Sequence, residues 1–496
     1  MVGFAELWHR RVVRRSIATS IVLAFGIGTM AAPDARADCP GNYEFVLIAD
    51  DSGDFEDFAL SDPDRPGINA RPSLNNGGRV VFRAWLSAGG MGLYHGDENG
   101  LLELMRDQQA DPSSEWQDMR DPVISGEGHV GFWGEYETGT PPLFYRAVGR
   151  VTFGNSPQVV AFGNGGANTQ APSPYTSVGD TVDITTGGDV VFAVTLPGGV
   201  SAIVSGTGIA GGTPRELVSS EGDRSVRGFR EPSAGGVGGV AFLGNPVDDP
   251  SRFGLYRKTA GGIPFEIALS DDNGLGPDSQ PSLGPGGAVA YALAYPDPDD
   301  PLRAAQRIRR WSPLTQTSVT LADSFADPFR QAATRTRVSL LDRTEIASEG
   351  PSQGGGGCVV FNGSADDDGS DVIYLVDEDG LQEVIRDGDE LFGALVGALD
   401  ISSRSVNAFG QVAFWAQLTD SRQVIVRADP EGLVVPGPGD GPIGGAGGDP
   451  TNDPGGDGGG CTVSHSGELP PLVALVLVLA SAVLRRTFRL WLRPSS

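Results

Sequence analysis

A chain of 496 residues with 73 Gly, 36 Pro and 39% apolar residues is too hydrophobic to be disordered throughout, and long Ala/Leu/Glu/Lys stretches that would make helices are missing. Many short strands joined by turns fit this composition. With 36 basic and 63 acidic residues, a net charge of −27, the chain repels nucleic acid and anionic membrane surfaces.

The first predicted element is an export signal over residues 1–37. Arg10, Arg11, Arg14 and Arg15 precede the apolar "SIATSIVLAFGIGTMAA", and "ARA" at 35–37 places cleavage after Ala37. Asp38 before Cys39 does not fit a lipoprotein cleavage box. With the signal and the terminal arginines set aside, the exported body holds 27 basic and 61 acidic residues, a net of −34, and Lys258 is its one lysine.

From there to residue 435 one short pattern recurs seven times. It reads "NNGGRVVF" (75–82), "SGEGHVGF" (125–132), "TTGGDVVF" (185–192), "GGVGGVAF" (235–242), "GPGGAVAY" (284–291), "GGGGCVVF" (354–361) and "NAFGQVAF" (407–414). The fourth position is always glycine: Gly78, Gly128, Gly188, Gly238, Gly287, Gly357 and Gly410. A fixed glycine in a turn predicts a positive φ that a side chain would oppose. Each pattern ends on a ring: Phe82, Phe132, Phe192, Phe242, Tyr291, Phe361 and Phe414. The residue before it is small, so the strand is bulky on one face and slim on the other, a shape that lets sheets stack.

Further strands follow most of these cores, for example "MGLYHGD" and "GLLELMRDQQADP" after Phe82. Units of about 50–70 residues with no crossover helix predict an all-β fold, a seven-bladed β-propeller of antiparallel meanders over 38–435. A linear β-solenoid and paired sandwiches stay open. The stretch at 43–55 resembles the last strand of a unit and could complete the seventh blade from the other end of the chain. "GLVV" at 432–435 competes for that role. The long fifth interval leaves room for an insertion around "SFADPFRQAATRTRVSLLDRTEIAS" (324–348).

The repeat resembles the bacterial tandem-repeat proteins known by an NxxGxxAF signature, which carry varied C-terminal anchors. Asn75 and Asn407 keep the signature Asn, while the middle five units hold Ser, Thr or Gly there. The resemblance implies an exported repeat protein and no settled activity.

Residues 436–460, "PGPGDGPIGGAGGDPTNDPGGDGGG", are a flexible tether with a reach of roughly 25–30 Å. An uncharged run follows at about 469–484, then Arg485, Arg486, Arg489 and Arg493. It predicts a transmembrane helix with the arginines in the cytoplasm and the acidic body outside. Gly-rich linker, "GGGC", apolar helix and arginine cluster together over 457–493 resemble Cys-containing bacterial C-terminal sorting signals of the MYXO-CTERM and JDVT-CTERM classes, with the signal itself at 461–496. That resemblance puts Cys461 at the signature cysteine and implies a membrane-associated sorting or processing enzyme as partner, followed by display at the cell envelope.

The chemistry-bearing patterns are few. "GPSQG" at 350–354 has the form of a nucleophile elbow around Ser352, but Pro-Ser recurs in the same register at 72–73, 232–233 and 281–282, which makes Ser352 a repeat element. His95 and His129 remain as bases in the body, neither beside a nucleophile. "GTGIAG" at 206–211 runs into a strand, not the helix a dinucleotide loop requires. Acidic turns offer hard oxygen ligands, with Asp366, Asp368 and Asp371 as calcium candidates; solvated turns are the plainer reading. Three cysteines cannot all pair within the chain: a Cys39–Cys358 disulfide is one option, and a buried, apolar-like Cys358 is the preferred one. The leading expectation is a non-enzymatic, surface-displayed binding or scaffold module for a glycan or protein, with no cofactor. The alternatives are a hydrolase or lyase with acidic residues in the channel, and a calcium-stiffened adhesin.

Overall fold

The chain divides into two units, Met1–Pro436 and Gly437–Ser496. The computed structural model describes residues 42–433, save 59, 63–64, 69–70, 139–142, 164–172, 209–213, 224, 236–238, 273, 278, 285, 297–303, 325–337, 347–357, 366–369, 378–379 and 403. Ala37, the tether, the 469–484 segment and Cys461 lie outside the described residues. Among the described residues all regular structure is strand, and no helix is long and apolar enough to cross a membrane.

Seven antiparallel sheets follow one another along the chain as the blades of a propeller. Blade two, for example, comprises Trp116–Ile124, His129–Thr138, Leu143–Thr152 and Gln158–Phe162, ordered as a simple meander. The recurring aromatic sits on the second strand of each blade, as in Val80–Leu86, Val240–Pro246 and Val412–Leu418. Blade seven is closed by the other end of the chain: Tyr43–Asp50 pairs antiparallel with Gln423–Pro430, Tyr43 facing Pro430 and Asp50 facing Val424. Asn42 continues the clasp, its carbonyl accepting the Glu431 amide at 2.9 Å.

Burial follows the bulky-and-slim pattern of the second strands. All seven rings are 0% exposed. Each packs in a cluster shared with the preceding blade, where the small residue awaits it: Phe132 with Val81, Phe242 with Val191, Tyr291 with Ala241. Phe361 joins Ala290, Phe414 joins Val360, and Phe82 joins Ala413 across the junction of blades seven and one. At the remaining seam, which holds Phe192, the slim residue is Gly131, where a Cβ would stand 3.1 Å from Val190. Thus every seam is wedged by one ring, and the wedge runs round to its start. Tyr94, Tyr256 and Tyr374 on the third strands stack on Phe82, Phe242 and Phe361 from directly opposite positions.

Repeat glycines Gly78, Gly128, Gly188, Gly287 and Gly410 have φ of +73°, +82°, +83°, +79° and +75°; Gly238 and Gly357 lie outside the described residues. The backbone reason is joined by a spatial one. An arginine on the third strand of the preceding blade presses on several of these turns: a Cβ on Gly287 would stand 2.4 Å from Arg257, and one on Gly78 2.9 Å from Arg427. Arg427 also donates to the Gly78 carbonyl at 2.6 Å.

Three expectations need correction. Five blades have four strands and two have five, rather than the three evident from each turn onward; an inner strand precedes the turn and faces the axis, as Ser177–Ile184 and Val226–Ala234 do. Part of the segment read as an insertion, Val338–Ile346, is that inner strand in blade six, pairing with Val359–Ala365. Cys358 is disulfide-bonded to a residue outside the described set, so it is not the unpaired apolar-like residue preferred from sequence. It belongs to a cluster against which Tyr43 and Phe45 of the N-terminal strand also pack.

Candidate functional site

The inner strands define the axis, and their register is set by the Pro-Ser element. Ser73 lies opposite Val81 and Ser233 opposite Ala241. Both are buried, and each hydroxyl serves the next blade: Ser73 accepts the Ile124 amide at 3.2 Å, Ser233 the Leu283 amide at 3.0 Å. These serines are hydrogen-bond posts between inner strands. Ser352 lies outside the described residues.

Three blades depart from Pro-Ser at this position. Blade two has Pro122-Val123, blade three Val182-Asp183 and blade seven Arg404-Ser405. Blades three and four lie opposite blade seven in a ring of seven, and Arg404 reaches both. Its Nε donates to Asp183, and its Nη2 donates to the Ile184 carbonyl and, at 3.0 Å, to the Ala234 carbonyl. Asp183 also accepts from the Ser233 hydroxyl at 3.1 Å and the Ala234 amide at 2.6 Å. The Arg404 carbonyl accepts the Leu74 amide of blade one at 2.7 Å. One guanidinium therefore bridges the axis, and with side-chain exposures of 7% and 3% the pair is shut off from water. A buried pair gains little net stability over apolar packing but is costly to break singly, because the surviving charge is stranded.

Away from the glycine turns, the inner strands are irregular and charged. The positions eleven residues before the aromatic hold Arg71, Asp121, Thr181, Glu231 and Gln280 in blades one to five. Asp118, Asp121 and Glu231 have φ of +47°, +44° and +51°, strained for residues with a Cβ, and the register slips beside them. Most of the acids there are held. Asp118 pairs with Arg120, Asp121 accepts from the Trp133 indole at 3.2 Å, and Arg71 lies 3.6 Å from Asp400. Glu231 differs: no hydrogen bond reaches its carboxyl from the described residues. Burial raises its pKa, Arg230 opposes that and Asp180 of blade three adds to it. Arg83 is 3% exposed with Nε and Nη1 unpartnered. Burial lowers its pKa to about 10 against the pull of Asp121 and Asp118.

The remaining sequence candidates do not gather. His129 is tied to Thr152 at 2.7 Å; His95 stacks on Phe153 with both nitrogens unpartnered. Burial first, then Arg79 and Arg150 respectively, lower the two histidines' pKa. Asp371 begins the third strand of blade six, its backbone paired with Asp387; Asp366 and Asp368 lie outside the described residues. Among the described residues no three His, Cys, Asp or Glu side chains gather as a metal site. Sequence reasoning missed Arg404, Asp183 and Glu231. A signal for the first two was present, as the charged residues among the three exceptions to Pro-Ser; Glu231 carried none.

No family model matches this chain, and no curated protein matches it. Solved structures of similar shape include the oligogalacturonate lyase of Vibrio parahaemolyticus, at TM-score 0.43 and 12% identity over 79% of this chain and 98% of that one. Another is an ulvan lyase (TM-score 0.40, 11% identity, 77% and 95% covered). The β-propeller domain of the Trilobed protease from Pyrococcus furiosus, described as having an open velcro topology, aligns at TM-score 0.36 and 10% identity over 61% and 78%. Lyases and peptidases are thus among its structural neighbours, and the likeness reaches the fold without assigning an activity.

Proposed function

We propose that this chain is an exported propeller, held at the bacterial envelope by its C-terminal segment, that binds an extracellular glycan or protein without transforming it. The observation that carries this reading is the Arg404 bridge. The axis, where residues from all blades converge, is closed by a cation whose donors serve Asp183 and two carbonyls of the opposite blades. Around it the described acids other than Glu231 have partners, so no pair of unengaged carboxylates stands ready for acid–base work. Export and anchoring rest on the charged and apolar run before Ala37 and on the tail around Cys461, with a sorting enzyme as transient partner.

Glu231 supports a second reading, an extracellular lyase or hydrolase. A half-buried carboxyl of raised pKa on a strained bulge suits a general acid or base. Incubating the native protein with a panel of neutral and acidic polysaccharides separates the two readings. Retention of a glycan or protein with no new reducing ends or unsaturated products supports binding. Turnover that Glu231→Gln abolishes, with unchanged melting, replaces the first reading by the second. The calcium reading is tested by chelator: a calcium-stiffened body loses several degrees of Tm in EDTA and regains them with added Ca2+.

A further inference from the structure

We infer that Cys39 is the partner of Cys358, so that a disulfide fastens the N-terminal strand to blade six and leaves Cys461 as the chain's one thiol. Cys358 is oxidised, and the chain offers only Cys39 and Cys461 as partners. Geometry separates them. Cys358 stands just before the second strand of blade six, in a cluster against which Tyr43 and Phe45 pack. Those two residues open the strand Tyr43–Asp50, which is hydrogen-bonded into blade seven. Asn42 is fixed as well, its amide side chain donating to Glu431 at 3.1 Å. Cys39 is three residues from that anchor, a span of at most about 11 Å.

Cys461 lies 28 residues beyond Leu433, where the described chain stops. Effective concentration falls roughly as the −3/2 power of tether length, so the distant thiol is roughly tenfold or more dilute at Cys358. The clasp joins positions 39 and 358 across almost the whole ring, and it reinforces the closure made by strand pairing. Forming it joins the two sulfurs, releases two protons and passes two electrons to an oxidised dithiol carrier of the exported compartment, which leaves as the dithiol. The assignment rests on the export half of the proposed function. It also requires that signal cleavage leave Cys39 on the mature chain, as cleavage after Ala37 does.

The test is a disulfide map of the mature protein taken from the native envelope, thiols blocked at lysis and the chain digested without reduction. The expected result is a Cys39 peptide linked to a Cys358 peptide, with no disulfide to Cys461. A Cys358–Cys461 link, or a link between two copies, overturns the assignment while leaving export intact. Three blocked thiols overturn it and export together. Variants give an independent readout: Cys39→Ser and Cys358→Ser each lower Tm by roughly 5 °C and their combination lowers it no further, whereas Cys461→Ser leaves it unchanged. Additive losses for the first two contradict the pairing.

Discussion

The seams between blades and the axis they surround are built on opposite principles. A seam repeats: ring against small residue at every blade, with a third-strand arginine opposite the small residue in four of them. The axis does not, because one guanidinium closes it from one side, and its partners, the Asp183 carboxylate and the Ile184 and Ala234 carbonyls, differ from each other. Repetition is what apolar packing permits, since any blade can wedge the next. A single charge crossing the centre needs one donor and one acceptor, so the units that supply them must break the pattern.

Four measurements sharpen or break this contrast. The largest effect is expected at a seam: Phe242→Ala, which removes a ring that is 0% exposed, costs about 4 kcal/mol in chemical denaturation. Phe132→Ala should cost a similar amount, and a strong dependence on blade would end the idea of equivalent wedges. At the axis, Arg404→Met strands Asp183 and costs about 3 kcal/mol, whereas Arg404→Met combined with Asp183→Asn recovers most of it. Purely additive losses in that cycle would show that the two side chains do not act as a pair.

The glycine turns offer a smaller, graded test. Gly188→Ala meets both a φ of +83° and a Cβ position 2.1 Å from the His129 ring, for about 2–3 kcal/mol. Gly128→Ala meets strain alone, its Cβ 3.9 Å from Arg79, for about 1 kcal/mol. Equal costs would mean that the pressing side chains are irrelevant. The smallest effect concerns His95. Its pKa is lowered in the fold, so the unfolded chain takes up the proton first and stability falls as pH drops through the unfolded value of about 6.5. Arg79 and Asp97 face the same ring and oppose one another. His95→Gln should therefore flatten the loss of denaturation midpoint between pH 7 and pH 5 and leave the pH 8 value little changed. A steeper acid limb would reverse the sign of the argument.

Much of the scaffold was legible because it is periodic. Gly78 and Phe82 could be read from their six counterparts, and the ring-and-small alternation stated which face each would take. The inner strand was not legible. In blades one and five it is short, Ser73–Leu74 and Ser282–Leu283, and elsewhere bulges spoil the alternation that marks a strand, as between Val178 and Val182. The third-strand arginines escaped notice because a lone Arg in a strand is ordinary; only Arg150, Arg257, Arg310 and Arg427 facing Gly131, Ala241, Ala290 and Ala413 reveal the habit. Glu231 could not be picked from among 63 acidic residues. Its distinction is a want of partners, and sequence does not record that.

The pairing of Tyr43–Asp50 with Gln423–Pro430 has a consequence for biosynthesis. The first strand of the body to emerge from the ribosome is the last to find its neighbour, after the rest of the blades have been made. Contacts this distant along a chain form slowly, so the nascent protein stays an open arc with an apolar flank at either end. An arc of that kind invites aggregation wherever folding helpers are scarce.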